Sequence, residues 1–397
     1  MVAAGSDLLL VAGEASGDLH AARLLSELRG RTQGLDVWGL GSDEMAAAGC
    51  DLLADSREIA VVGIAEVLKI LPRARQIFDQ LLEEVDRRGT RVAVLVDFPD
   101  FNLRLAKQLH RRGVRVVYYI SPQVWAWRKG RVKTIARTVD RMLVLFPFEV
   151  PFYEGHGIEV RHVGHPLVEE VPELPQAWQT SSKTSLQAPN PAEPATLALL
   201  PGSRKSEVRA LLPTLLDTAA LMARRRPLRV RLIQAPSLPE SLVDELLAAG
   251  PGLEVERVRR GRFEAIAESH LALCASGTAT LEVGLLTTPL VVVYRLNPFS
   301  YWLGRMLVDL PHVSMVNLVL DEGVVPEIIQ GDFQPENLAT VAGDLLSDRA
   351  AIDRMRSKLA ELRPRLGARG ASGRAAEAVA EVLAEVQTEV TAQGERC

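Results

Sequence analysis

The sequence is poor in cysteine and in aromatic residues, and it contains no long apolar run. Its three cysteines among 397 residues, Cys50, Cys274 and Cys397, include no C-x-x-C pair. An odd number of separated cysteines argues against a disulfide framework or a zinc ribbon and is typical of a reducing cytosol. No stretch approaches 18 uninterrupted apolar residues, and the first residues lack the basic and apolar regions of a signal peptide. We therefore expect no membrane-spanning segment.

The composition is that of a folded globular protein, with 47% hydrophobic, 24% charged and 5% aromatic residues. A formal net charge of −4 argues against a general nucleic-acid binder. The segment 101–150 differs, because it holds 11 Lys or Arg and only two acidic residues. The seven histidines form no H-E-x-x-H pattern. We expect no metal site and no cofactor.

Short apolar runs alternate with helical patterns in two halves of the chain, which predicts an α/β protein with two Rossmann-like domains. The strands expected in the first half are 7–12, 37–40, 91–96 and 114–120, and those in the second half are 197–200, 229–234, 253–258, 271–274 and 290–294. A proline-rich polar stretch separates the halves. The predicted domains are 1–168, a linker at 169–196, a second domain at 197–350, and C-terminal helices at 351–397.

Two strand ends of the first half carry acidic residues. Glu14 lies in the small-residue turn Gly-Glu-Ala-Ser-Gly-Asp after the first strand, where a carboxylate can hydrogen-bond a sugar hydroxyl; a merely tight turn is the alternative. Asp97 ends another strand, at the sheet edge where ligands gather, and is a candidate general base. Pro99 is expected to keep Phe98 extended, and Asp100 to cap the helix that begins near residue 101.

Two strands of the second half run into turns of small residues. Gly202-Ser203-Arg204 offers flexible backbone, a hydroxyl and a guanidinium that can grip phosphate oxygens. A helix capped by Ser203, with an exposed arginine, is the alternative. Ser276-Gly277-Thr278 repeats the design, and Glu282 follows in the next helix, where a carboxylate can accept the hydroxyls of a ribose. The two turns together fit a nucleoside diphosphate.

A helical stripe of apolar residues with interleaved cations runs through 63–85 and includes Val67, Leu68 and Leu71. Such a stripe is usually core, but an exposed part of it would bind acyl chains or a membrane surface. Trp125 and Trp127, beside Arg128 in the basic segment, have the same two interpretations.

Eight segments in order make the chain resemble the lipid-A-disaccharide synthase family of bacterial GT-B glycosyltransferases. They are VAGEASGD at 11–18, DFPDFN at 97–102, SPQVWAWR at 121–128, FPFE at 146–149, VGHP at 163–166, LPGSR at 200–204, ASGTA at 275–279 and the stretch 313–317. The resemblance implies two Rossmann-like domains facing each other across a cleft, bridged by C-terminal helices. It also implies metal-independent transfer, with inversion, of diacylglucosamine from UDP-2,3-diacylglucosamine to 2,3-diacylglucosamine 1-phosphate, giving the β-1,6 disaccharide 1-phosphate and UDP.

Under this resemblance each candidate residue takes a role. Asp97 and Glu14 are catalytic; Ser16 and Gly17, with the two tryptophans, Arg128 and the apolar stripe, contact the acceptor, its lipid or the membrane. UDP is bound by the residues of the two small-residue turns with Glu282 and Asn317, namely Gly202, Ser203, Arg204, Ser276, Gly277 and Thr278. The expected location is cytoplasmic, with peripheral contact to the inner membrane. The sequence does not decide whether the protein forms a homodimer. The alternatives are a GT-B enzyme for another acceptor, a UDP-sugar 2-epimerase and a non-catalytic nucleotide-lipid binding protein.

Overall fold

The computed structural model describes residues 7–59, 64–125, 129–173, 194–295 and 312–394. The chain divides into two compact units: unit 1 contains Met1–Pro166 and Gly367–Cys397, and unit 2 contains Leu167–Leu366. The C-terminal region predicted at 351–397 is thus split, because residues up to Leu366 belong to unit 2 and only the rest belongs to unit 1.

Seven parallel strands form the sheet of unit 1. They are β1 Asp7–Ala12, β2 Asp36–Gly41, β3 Asp51–Asp55, β4 Val92–Val96, β5 Arg115–Tyr119, β6 Arg141–Val144 and β7 Val160–His162. Their order across the sheet is β3-β2-β1-β4-β5-β6-β7. Along β1, Leu8 and Leu10 enter one apolar core and Leu9 and Val11 the other, which explains why this strand is apolar at every position. The four strands predicted here are confirmed.

Six helices connect these strands in the part of unit 1 that the structure describes. They are α1 Ala15–Arg31, α2 Asp43–Ala47, α3 Ile64–Arg88, α4 Pro99–Arg111, α5 Val132–Thr138 and α6 Glu149–Glu154. Short 3₁₀ turns lie at Ser56–Glu58 and Lys129–Arg131. The second half of the apolar stripe in α3 is core, because Ile77 and Leu81 are fully buried. In the described ranges no helix combines the length and apolarity that crossing a bilayer requires.

Unit 2 is built on a second parallel sheet of six strands. They are β8 Ala195–Leu200, β9 Leu228–Ile233, β10 Val255–Val258, β11 Leu271–Ala275, β12 Leu290–Tyr294 and β13 Glu327–Ile329, in the order β10-β9-β8-β11-β12-β13. All five strands predicted here are confirmed, and β13 is additional. The two sheets make both units Rossmann-like, as predicted.

Nine described helices surround the second sheet or follow it. They are α7 Leu167–Glu170, α8 Lys205–Ala223, α9 Glu240–Ala248, α10 Arg262–Ala267, α11 Thr278–Leu285, α12 Met315–Leu320, α13 Pro335–Ser347, α14 Arg349–Leu359 and α15 Leu362–Leu366. A 3₁₀ turn lies at Gln330–Asp332.

The last helix, α16 Ala371–Gly394, returns to unit 1 and packs on α1, β4 and β5. The buried guanidinium of Arg141 on β6 holds it there, donating to Glu381 at 2.9 Å, to Glu385 at 3.2 Å and to the carbonyl oxygen of Ala378 at 3.1 Å. This helix is therefore part of the first sheet's packing.

Candidate active site

The strand order of each sheet reverses at one point, and the candidate residues lie there. In unit 1 the chain leaves β1 toward β2 and β3 on one side, and continues from β4 toward β7 on the other. The turns that follow β1 and β4 therefore diverge at the carboxyl edge of neighbouring strands, which is where open α/β sheets bind ligands. Glu14 lies in the first turn and Asp97 in the second.

The turn after β4 has an unusual backbone. Asp97 and Phe98 both have positive φ, 47° and 50°, although neither is glycine. The prediction that Pro99 keeps Phe98 extended is wrong: Phe98 is left-handed, with ψ of 56°, and α4 begins at Pro99 rather than near residue 101. Non-glycine residues in this region are strained, and strain of this kind clusters at functional sites.

The ring of Phe98 joins the two turns. A Cβ atom added at Gly13 would lie 2.2 Å from ring carbons of Phe98, so only glycine allows this close approach. The contact places Glu14, which follows Gly13 and is exposed, near Asp97. Burial, and then repulsion from Glu14, raise the pKa of Asp97 from 3.8 to about 6. This partly buried carboxyl group thus has the pKa of a general base that works near neutral pH.

The other residues of the first turn differ in exposure. Ser16 and Gly17 lie in the first turn of α1, where Ser16 is exposed and Gly17 is buried. The carboxylate of Asp18 is buried and accepts hydrogen bonds from the Ser42 backbone at 2.7 Å and from the Glu44 backbone at 3.0 Å. Asp18 therefore fixes the start of α2, whereas Ser16 stays available to a ligand.

Of the two interpretations of Trp125, burial inside the protein and contact with lipid or acceptor, the structure shows burial. Its side chain is 8% exposed, and its indole nitrogen donates to Glu149 Oε1 at 3.0 Å. Glu149 also accepts hydrogen bonds from the Ser121 hydroxyl and from the Phe146 backbone, and burial raises its pKa to about 7. Trp125 is thus held inside a polar network, because its N–H can reach a carboxylate there.

Several predicted lipid contacts lie outside the described residues. Trp127 and Arg128 are among them, and the side chains of Val67 and Leu68 are too. Leu71 is described and is 53% exposed, which is unusual for a large apolar side chain in this structure.

The basic segment 101–150 has two kinds of cation. Four are engaged in ion pairs: Arg112 with Asp86, Arg115 with Asp140 and Glu389, Arg131 with Asp100, and Arg141 with Glu159, Glu381 and Glu385. Arg104, Lys107 and Arg111 are instead exposed on one side of α4, and Lys133 and Arg137 are exposed on α5, which packs against α4. The exposed positive face is therefore smaller than the sequence count implies; we call these five residues the α4–α5 basic face.

The corresponding point of unit 2 lies between β8 and β11, and both small-residue turns follow these neighbouring strands. Gly202 has a φ of 104°, and a Cβ there would lie 2.6 Å from Glu207 Oε2, so the turn after β8 requires glycine. Ser203 and Arg204 are exposed. The turn after β11 exposes Gly277 and Thr278 and leaves Ser276 half-buried.

Arg204, not Ser203, is the N-cap residue of α8, and its side chain does not cap the helix. Its guanidinium is 77% exposed and donates to Glu207 Oε1 at 2.9 Å. Tyr294, at the end of β12, lies near this pair. Burial, and then the negative charge of Glu207, raise the pKa of the Tyr294 hydroxyl. The exposed guanidinium can exchange its contact with Glu207 for phosphate oxygens.

Glu282 lies in the second turn of α11 and is largely buried. Arg262, the first residue of α10, donates to Glu282 Oε1 at 3.1 Å and stacks on the ring of Phe263. Burial raises the pKa of Glu282, and the charge of Arg262 counteracts this rise. Its second carboxylate oxygen can accept from a ligand hydroxyl.

Asn317 is predicted to bind UDP, but its side chain is not free to do so. The residue is 1% exposed; its amide donates to the carbonyl oxygen of Val325 at 2.9 Å and to Glu327 at 2.8 Å, and its oxygen accepts from the Val325 backbone. Glu327 also accepts from the backbones of Val313 and Ser314, both at 2.9 Å. Asn317 therefore fixes the segment before α12, whose Val313 oxygen accepts from Ser276 at 3.4 Å.

Sequence reasoning missed Glu149, Arg262, Tyr294 and Glu327. Each acts through a partner far along the chain, and only the position of Tyr294 at the end of a predicted strand gave a signal. Within the described ranges no group of three or more His, Cys, Asp or Glu side chains is arranged to hold a metal ion.

Comparison with known proteins agrees with this arrangement. The sequence model described as lipid-A-disaccharide synthetase matches residues 8–381. A lipid-A-disaccharide synthase of Myxococcus xanthus (strain DK1622) is 46% identical over 375 residues, which cover 94% of this chain and 97% of that relative.

Two solved structures resemble the fold at low sequence identity. UDP-GlcNAc 2-epimerase from Neisseria meningitidis has a TM-score of 0.59 at 10% identity, covering 96% of this chain and 100% of that chain. MurG of Acinetobacter baumannii has a TM-score of 0.57 at 13% identity, covering 95% and 99%. These likenesses show the fold alone, which is GT-B.

Proposed function

The chain belongs to the lipid-A-disaccharide synthetase family. We propose that the family's glycosyl transfer uses a general base at the strand-order reversal of unit 1 and a diphosphate-binding site at the strand-order reversal of unit 2. The chain is a glycosyltransferase. It transfers diacylglucosamine from its UDP donor to diacylglucosamine 1-phosphate, releasing UDP and the β-1,6 disaccharide 1-phosphate.

In this proposal Asp97 takes the proton from the 6-hydroxyl of the acceptor as the bond between C1 and UDP breaks. The observation that carries the assignment is the partly buried carboxyl group at the reversal point, with its pKa raised to about 6. Such a group is ionised at neutral pH and still basic enough to accept a proton in the transition state. A single displacement inverts C1. Glu14 accepts a hydrogen bond from a sugar hydroxyl.

The leaving diphosphate is held in unit 2. The backbones of Gly202, Ser203, Gly277 and Thr278 donate N–H groups, and Arg204 supplies the positive charge. The Ser276 N–H takes no part, because it donates to the Val293 carbonyl oxygen at 2.9 Å. Each charge-assisted contact contributes about 1.5–3 kcal/mol. Glu282, oriented by Arg262, accepts the ribose hydroxyls.

The lipid substrates reach the enzyme from the cytoplasmic face of the inner membrane. The α4–α5 basic face supports this proposal, because each Lys or Arg near an anionic bilayer contributes about 1 kcal/mol. Leu71 adds an exposed apolar side chain. Binding of this kind weakens as salt rises.

Vesicle sedimentation tests the membrane contact. Replacing Arg104, Lys107 and Arg111 with alanine is expected to weaken binding to phosphatidylglycerol vesicles about 100-fold at low salt, at about 1 kcal/mol per cation. The charge-matched control replaces three exposed arginines of unit 2, namely Arg209, Arg349 and Arg354. Equal binding by both triple variants would remove the basic face from this role.

A radiolabelled assay tests the reaction itself. The diacyl donor and the diacyl sugar phosphate together should give one disaccharide 1-phosphate and free UDP. Donor alone should give no new sugar epimer. The enzyme should not turn over acyl-free UDP-N-acetylglucosamine when it is offered as the donor. An epimer from donor alone, or turnover of the acyl-free donor, would contradict the assignment.

A further inference from the structure

The corner that carries Asp97 needs a reason to persist. Two consecutive residues with φ near 50° cost about 1–3 kcal/mol each, and such a backbone persists only where its surroundings hold it. The residues that hold this corner therefore determine where the Asp97 carboxylate lies.

Two buried side chains grip the same carbonyl group. The Tyr118 hydroxyl donates to the Asp97 carbonyl oxygen at 2.6 Å, and Asn102 Nδ2 donates to it at 2.8 Å. Both side chains are fully buried. On the other side of the residue, the Asp97 backbone N–H donates to the carbonyl oxygen of Tyr119 at 2.9 Å. Both ends of the strained residue are thus fixed.

Three elements, β4, β5 and α4, fix the positions of these hydrogen-bonding groups around Asp97. Tyr118 comes from β5, which is paired in register with β4, and Asn102 comes from the first turn of α4. Asn102 Nδ2 also donates to the Val96 carbonyl oxygen at 3.2 Å, so one amide spans the end of the strand. The Asn102 oxygen has no hydrogen-bond partner among the described residues. An unpaired buried oxygen costs free energy, so the contribution of Asn102 lies in the two hydrogen bonds that its Nδ2 donates.

We propose that Tyr118 and Asn102 are positioning residues for the Asp97 carboxylate. This inference rests on the proposed function, in which Asp97 is the general base. Rotation of the Asp97 backbone toward an ordinary strand conformation would swing its Cβ atom and move the carboxylate away from the acceptor hydroxyl. A misplacement of about 1 Å can lower a rate about 100-fold.

The Tyr118→Phe variant tests the proposal by removing one hydroxyl and leaving the ring in the core. We expect kcat to fall about 10- to 100-fold, with the KM values of both substrates and the affinity for UDP within about twofold of wild type. Tyr153→Phe is the matched control, since its buried hydroxyl also donates to a backbone carbonyl, that of Pro122 at 3.2 Å. The control should keep its kcat.

A second background separates positioning from general structural damage. In the Asp97→Asn variant there is no base to position, so adding Tyr118→Phe should change kcat less than twofold. Asn102→Ala should show the same dependence on Asp97. An equal loss in both backgrounds, or a kcat of Tyr118→Phe within twofold of wild type, would overturn the proposal. If Asp97→Asn alone keeps more than a tenth of the activity, the base assignment itself fails, and the two failures are distinguishable.

Discussion

Replacement of Asp97 by asparagine should make the enzyme slower and more stable at once. Asparagine tolerates positive φ about as well as aspartate, so the backbone strain is unchanged. Its Oδ1 can still accept the hydrogen bond from the Phe98 backbone that the carboxylate accepts. The substitution therefore removes the charge and the proton acceptor, and little else.

The size of the stability gain follows from the pKa of Asp97. Its rise from 3.8 to about 6 in the folded state means that folding opposes ionisation of this group. A pKa difference of about two corresponds to about 3 kcal/mol, and solvent screening of the half-buried side chain reduces this to about 1–2 kcal/mol. Above pH 6 the aspartate is ionised in both states and the full penalty applies. Below pH 3.8 it is protonated in both, and the penalty vanishes.

Thermal unfolding and turnover measure the two effects. We expect Asp97→Asn to raise the melting temperature of unit 1 by about 2–8 °C at pH 8, since 1 kcal/mol shifts a domain of this size by about 2–4 °C. The gain should shrink as the pH falls from 6 to 4. Turnover should fall about 10²- to 10⁴-fold. Asp100→Asn, in the same turn, is the control and should show neither effect. A destabilised Asp97→Asn protein, or one with near-normal turnover, would refute the reasoning.

Other predictions concern the neighbours of this site. Glu14→Gln removes a like charge from Asp97, so its pKa should fall and the acid limb of the kcat/KM profile should move to lower pH; an unmoved limb would separate the two carboxylates. Arg204→Ala should weaken UDP binding about 10- to 100-fold by calorimetry, with Arg209→Ala as the exposed control on the same helix, and unchanged affinity would leave Arg204 only its pair with the helix. Arg141→Ala should destabilise unit 1 by about 1.5–3 kcal/mol in denaturant, because it removes a buried guanidinium that donates to carboxylates of α16; a smaller loss would show that α16 docks through apolar contacts.

The sheet edges were predictable from sequence because strand period and turn composition are local properties. Continuous apolar runs located nine of the thirteen strands, and parallel pairing brings their carboxyl ends to one edge. Three of the four missed strands, β3, β7 and β13, lie at sheet edges and are only partly buried, so polar residues interrupt their apolar pattern. The fourth, β6, is buried and has no such explanation.

The roles of single side chains were less predictable because they depend on partners far away in sequence. Trp125 is buried since Glu149, 24 residues later, accepts its N–H. Asn317 is occupied because Glu327 and the Val325 backbone lie against it. A motif shows which group is present, but only packing shows whether its hydrogen bonds are already used.

The errors at residues 97–98 indicate where the chemistry is. A residue before proline is expected to be extended, and residues other than glycine are expected to avoid positive φ. Asp97 and Phe98 break both expectations at one corner. The carboxylate of Glu14 lies near that of Asp97 as well and repels it. The turns of unit 2 bend through glycine and leave their arginine exposed, which involves no such cost. Since strained and electrostatically opposed arrangements persist where function requires them, we infer that the edge of unit 1 carries the bond-making step and that the edge of unit 2 serves to bind.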